Sequence, residues 1–309
     1  MRTRIALIAT LLAPPGAGAQ TPAPPQPEAR LDVGGVAESP TRDPSPAQLR
    51  RRSAALTGAS FAAMAAYGRA EWWQDGFGGG FKRANEGWFG RGTANGGADK
   101  LGHMMFAYAG SRLLTRAFEG IGRDPDMALR WGAWTAVGTL LAVEVADGYS
   151  RKWRFSHEDA IADLVGGALG WWMERDPALD DLVDLRLYYR RSMGPTGRSS
   201  FNPFGDYAGQ RYLLVFKASG MPALRTRPVL RHLELSVGYG AQGFPAAPGA
   251  LASPTRRAYV GVSLNLSELL RSTAFRGDAT PSRTQRLGET FLEYVQVPAA
   301  GVWSGQAIR

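Results

Sequence analysis

The sequence predicts an α+β fold, a compact helical bundle followed by a small antiparallel β-sheet. Three helix-length patterns, residues 100–118, 127–145 and 159–173, fill the middle of the chain. Beyond residue 205 apolar and polar residues alternate with a period of two, the mark of half-buried strands. A Gly/Ser/Pro stretch, residues 194–205, separates the two regimes.

At the start of the chain Arg2 and Arg4 precede an apolar run, residues 5–12, and Ala17-Gly18-Ala19 offers the small residues that a signal peptidase reads. Residues 1–19 are therefore expected to be a signal peptide cleaved after Ala19. The alternative, a short N-terminal anchor, needs a longer apolar run to span a bilayer. Residues 20–48 are rich in Pro and Ala without an apolar period, and read as a disordered linker.

The helical domain is expected over residues 49–175, opening with an Ala-rich helical segment at 56–67. Trp72, Trp73, the glycines of 76–80 and the aromatics Phe81, Trp88 and Phe89 follow, with the character of a core cap or an interface. Residues 131–143 are almost wholly apolar, but Arg130 and Glu144 bound them. That run falls short of the roughly 20 residues a spanning helix needs, which points to a buried core helix. Residues 176–205 read as a connector and 206–309 as the β-rich region. There Val229, Leu233, Leu235, Val237 and Tyr239 alternate with His232, Glu234 and Ser236, and residues 258–266 repeat the pattern. Residues 212–217 and 291–297 are two further expected strands. An oligomeric barrel, or a sheet lying against the outer membrane, is a lesser alternative to a sheet packed on the helices.

The formal net charge of +9 and pI of about 10.1 imply attraction to anions. No nucleic-acid-binding motif accompanies the arginines, so nucleic acid is not expected as a partner. Anionic envelope lipid or glycan is the expected one, through peripheral or embedded membrane contact, with the oligomeric state left open. The absence of cysteine excludes disulfides, thiolate metal sites and Cys nucleophiles from these 309 residues.

Chemistry concentrates in the helical half. Asp99 and His103 share a helix face, where the carboxylate either orients the imidazole or joins it around a divalent cation. Alternatively, Asp99 caps the helix after Gly96-Gly97 and His103 is a core residue. Glu144 and Asp147, one turn apart at the end of the most apolar helix, are either buried and in need of a partner or solvated beyond a frayed end. Lys100, His103, Arg151 and Arg154 are the candidate partners. Ser156-x-x-Asp159 resembles a capping box, Asp159 and Asp163 share a face, and Gly166-Gly167 allow a helix to approach closely. The expected catalytic residues are His103, Glu144 and Asp147; the expected binding residues are Asp99, Lys100, Asp159, Asp163 and Arg151. Asp99, His103 and Asp163 are the expected ligands of a divalent cation.

The ordered set Asp99-Lys100-x-x-His103, Glu144-x-x-Asp147-Gly148 and Phe155-Ser156-x-x-Asp159-x-x-x-Asp163-x-x-Gly166 resembles the YfiM-like family of predicted periplasmic lipoproteins, a domain of unknown function, with a VanZ-like motif pattern. The resemblance implies a compact helical envelope domain without an established reaction. The chain departs from it in lacking a lipid-attachment Cys and in carrying Asp163 where the family pattern has Asn. The expectation is an exported protein, periplasmic or outer-membrane associated, acting as a binding or structural protein on anionic lipid or glycan. The alternative is a metal-assisted hydrolase of a lipid or cell-wall precursor.

Overall fold

The structure, a computed structural model, describes residues 43–194, 197–198, 201–244, 254–276 and 280–308. The expected signal peptide and most of the expected linker lie outside these residues. Helix α1 (Pro46–Glu71) begins within the stretch read as linker. Ser45 Oγ accepts from Gln48 N at 3.3 Å while the Gln48 side chain accepts from Ser45 N at 2.8 Å. This capping box, with proline in the first turn, starts a helix where composition alone suggested none.

Strand β1 (Arg83–Ala84) leads to α2 (Ala98–Gly120), α3 (Pro125–Tyr149), β2 (Phe155–Ser156) and α4 (His157–Arg175), and β1 pairs in parallel with β2. Asp124 caps α3, accepting from Met127 N at 3.0 Å ahead of Pro125. Helix α3 runs on past Glu144 instead of fraying there. Helix α2 packs against both α3 and α4. Gly166 and Gly170, one turn apart on α4, lie so close to α2 that a Cβ on either would overlap the carbonyl oxygen of Met104 or Tyr108. That close crossing brings the polar side chains of the two helices within reach of each other. None of the described helices is long and apolar enough to cross a membrane.

The stretch read as a connector carries regular structure: helix α5 (Pro177–Leu182), strand β3 (Val183–Tyr189) and the short pair β4 (Met193–Gly194) and β5 (Gly197–Arg198). Then come β6 (Gln210–Lys217), α6 (Pro222–Arg225), β7 (Leu233–Gln242), β8 (Thr255–Leu264), α7 (Leu266–Ser272), α8 (Arg283–Tyr294), β9 (Val295–Gln296) and β10 (Gly301–Ile308). The main sheet has the order β10-β8-β7-β6-β3-β9, antiparallel except for the β3–β9 pair. Most of the strand expected at 291–297 is helix, because Ser282 caps α8 through Gln285 N at 3.1 Å and only Val295–Gln296 pair with β3.

The alternation in β7 and β8 is real, but its sense is inverted. Glu234, Ser236 and Ser263 are buried, whereas Leu235 is 50% exposed and Val260 56%. The apolar face is covered near β3, β6 and the end of β7, where Leu185, Leu187, Tyr212 and Ala241 join Met105, Tyr108, Met173 and Tyr294 in the principal core. The other face is closed around Arg186, whose guanidinium reaches Asp184, Glu234 and Gln296, the last two at 2.9 and 3.3 Å. A buried guanidinium holds its place only when its donors are matched, and this one is supplied with two carboxylates.

Candidate functional site

Three helices converge on one polar centre. The left-handed Gly97 (φ 86) lets the chain turn into α2, and Asp99 falls in the first turn instead of at the cap. Lys100, nearly fully buried, places Nζ 2.9 Å from Asp159, 3.0 Å from Asp99 and in contact with Glu86. One turn on, His103 Nδ1 lies 3.0 Å from Asp163 Oδ1 and Nε2 lies 3.7 Å from Glu144 Oε1. Ser156 caps α4 by accepting from Asp159 N at 3.2 Å, and its own backbone N–H donates to Glu144 at 3.1 Å. Asp147, a turn beyond Glu144, accepts from Trp73 Nε1 at 2.5 Å.

The charge is lopsided. Glu86, Asp99, Glu144, Asp147, Asp159 and Asp163 crowd around two cations, Lys100 and His103. Burial, reinforced by Asp159 and Asp163, pushes the Glu144 carboxyl up to about 8, against the pull of His103. Burial likewise raises Asp147 to about 6 and lifts Asp163 above the usual carboxylate range. Burial alone would discharge His103, yet Asp163, Asp159 and Glu144 outweigh it and hold the imidazole up to about 10.

Two sets of side chains present ligand atoms within 4.8 Å of one another: His103, Glu144 and Asp159, and Glu86, Asp99 and Asp159. Lys100 Nζ sits among all three members of the second set but touches the first through Asp159 alone, so the first is the set that could hold a cation. There Asp163 would back the imidazole from its Nδ1 side, the arrangement by which a carboxylate fixes the tautomer of a ligating histidine. His103 is the partly open member, its side chain 19% exposed while Glu144 and Asp163 are enclosed.

The structure thus brings His103, Glu144, Asp159 and Asp163 together, with Asp147 alongside. Asp163 stands behind the imidazole, and Asp99 belongs to the lysine group instead of the histidine group. Arg151 is apart, exposed, with its guanidinium over Gly78. Sequence reasoning passed over Glu86 and read Trp73 as part of a core cap or interface instead of a partner of Asp147; both lie in irregular segments without a periodic pattern. The signal available for Glu86 was that a lysine inside an apolar helix face needs more than one carboxylate. His157 is exposed, 3.1 Å from Glu158, and takes no part.

These side chains lie within a segment that a family model recognises. Residues 85–175 match the DUF2279 family, described as a predicted periplasmic lipoprotein. The matched segment contains α2, α3, α4 and every polar side chain of the centre except Trp73, and the description of the family it resembles supports an exported, periplasmic location. The family read from the motif order is therefore borne out. No curated protein and no solved structure matches the chain. The 309 residues contain no cysteine to which a lipid could be joined.

Proposed function

We propose that the DUF2279 segment binds a divalent cation between His103, Glu144 and Asp159, and that the chain is a metal-assisted hydrolase of an envelope lipid or cell-wall precursor. The observation that supports this is the backed imidazole: Asp163 at Nδ1 and Glu144 towards Nε2, with an Asp159 oxygen within 4.8 Å of the ligand atoms of His103 and Glu144. Three protein ligands leave a coordination position for water, and a cation lowers the pKa of such a water towards neutrality. Asp147, raised to about 6 by burial, feels the charge of His103 and Asp159 and is held by the Trp73 indole at the edge of the centre. Lys100 holds Glu86, Asp99 and Asp159 in place.

Calorimetric titration of the chain with Zn, Mn, Mg or Ca ions tests the binding step. Saturable binding that His103→Gln abolishes is expected, and no heat at millimolar ion removes the reading. The hydrolytic step is tested by release of phosphate or acyl product from envelope lipids under the ion that binds. A second reading, a binding protein for anionic lipid or glycan, is favoured by the net charge of +9 despite the acidic centre. The cations must then crowd the outer surface.

A further inference from the structure

We infer that the surface built by residues 76–84 and 148–156 is a docking platform for an anionic lipid bilayer. The two segments are zipped together by their backbones: Gly78 N–H donates to Tyr149 O at 3.0 Å, Lys82 N–H to Gly148 O at 2.7 Å and Arg151 N–H to Gly76 O at 3.0 Å. Their large aromatics point outward. Phe77, Phe81, Tyr149 and Trp153 are 39–50% exposed, and Phe81 stacks edgewise on Tyr149 with ring centres 5.1 Å apart.

Among these rings stand Lys82, Arg83, Arg151, Lys152 and Arg154, none in an ion pair among the described residues. Lys152 Nζ lies 4.8 Å from the Trp153 ring and the Arg83 guanidinium 5.8 Å from Phe81. Cations that have found no carboxylate, interleaved with half-exposed rings, match the interface of a bilayer: the rings enter the headgroup layer and the cations meet phosphate. The contact proposed is a peripheral one, made by side chains of the two segments.

The inference deepens the lipid-binding reading by naming its surface, and it does not depend on the cation. The second segment ends at Ser156, whose backbone N–H donates to Glu144, and Trp73 and Glu86 flank the first, so the platform is joined to the elements that build the His103 centre.

The test is co-sedimentation of the full chain, in EDTA, with phosphatidylglycerol/phosphatidylethanolamine vesicles and with pure phosphatidylcholine vesicles. Expected is binding to the anionic vesicles alone, weakened by salt, and weakened at least about tenfold by Arg151→Glu/Lys152→Glu/Arg154→Glu at an unchanged melting temperature. Lys152→Glu alone, with about a several-fold loss, serves if the triple variant does not fold. Anionic binding that survives both variants leaves lipid as a partner but overturns this surface. No binding to either vesicle overturns the surface and the lipid-binding reading together. A dimer in sedimentation that charge reversal dissociates, without vesicle binding, assigns the patch to a second copy of the chain and overturns the inference.

Discussion

Two of the buried ionic centres among the described residues are built on opposite principles. In the sheet, Arg186 is matched by Asp184 and Glu234, with Lys217 2.7 Å from the second oxygen of Asp184 and Ser263 donating to Glu234 at 3.1 Å. Charges there nearly cancel. In the helices, six carboxylates face one lysine and one histidine, and burial drives several of them towards protonation. A balanced network holds elements together; an acid excess stores an appetite for protons or cations that packing does not require.

The largest effect should come from the balanced centre. Arg186→Ala strands the buried Glu234 and leaves Asp184 with Lys217 alone, and should cost about 3–5 kcal/mol in denaturant unfolding. The equivalent truncation in the helices, His103→Ala, should cost far less, because Asp163 can take up a proton; equal losses would erase the distinction between the centres. Next, Asp163→Asn should weaken cation binding about 10–100-fold by calorimetry with little change in melting temperature.

The pH dependence of stability gives a smaller signature. Glu144 binds its proton more tightly folded than unfolded, so its contribution falls as pH rises from the ordinary carboxylate range through about 8. His103 acts in the same direction: its contribution is complete below about 6.5 and is lost as pH rises through about 10. Glu144→Gln should therefore flatten the alkaline decline by on the order of 1–2 kcal/mol, read from unfolding midpoints between pH 5 and 9. A steeper decline in the variant would contradict the burial argument. Smallest, Ser156→Ala should cost roughly 0.5–1 kcal/mol through loss of the α4 cap. If it abolished cation binding as well, Ser156 would belong to the centre.

The helical half was far more legible in the sequence than the sheet. Apolar periods located α2, α3 and α4, and residues spaced one turn apart, such as Asp99 and His103 or Asp159 and Asp163, had to share a face. What spacing could not decide was which carboxylate met which ring nitrogen, because that depends on how closely α4 crosses α2 at Gly166 and Gly170. In the sheet, Asp184 and Arg186 made β3 resemble a solvated connector, although both are buried. Alternation in β7 revealed the strand but not which face was inward, since a period of two is unchanged when the sheet is turned over.

That inversion bears on how the strands find their alignment. Leu235, Val237, Val260 and Val262 are interchangeable oily neighbours, and sliding β7 by two residues against β6 would preserve their character. The same slide would carry Glu234 away from Arg186, leaving an enclosed carboxylate without its counterpart and the guanidinium with Asp184 as its sole carboxylate in the cluster. The ionic cluster is thus a key cut for a single register, and a strand that docks out of step meets an energetic lock instead of a tolerable misfit.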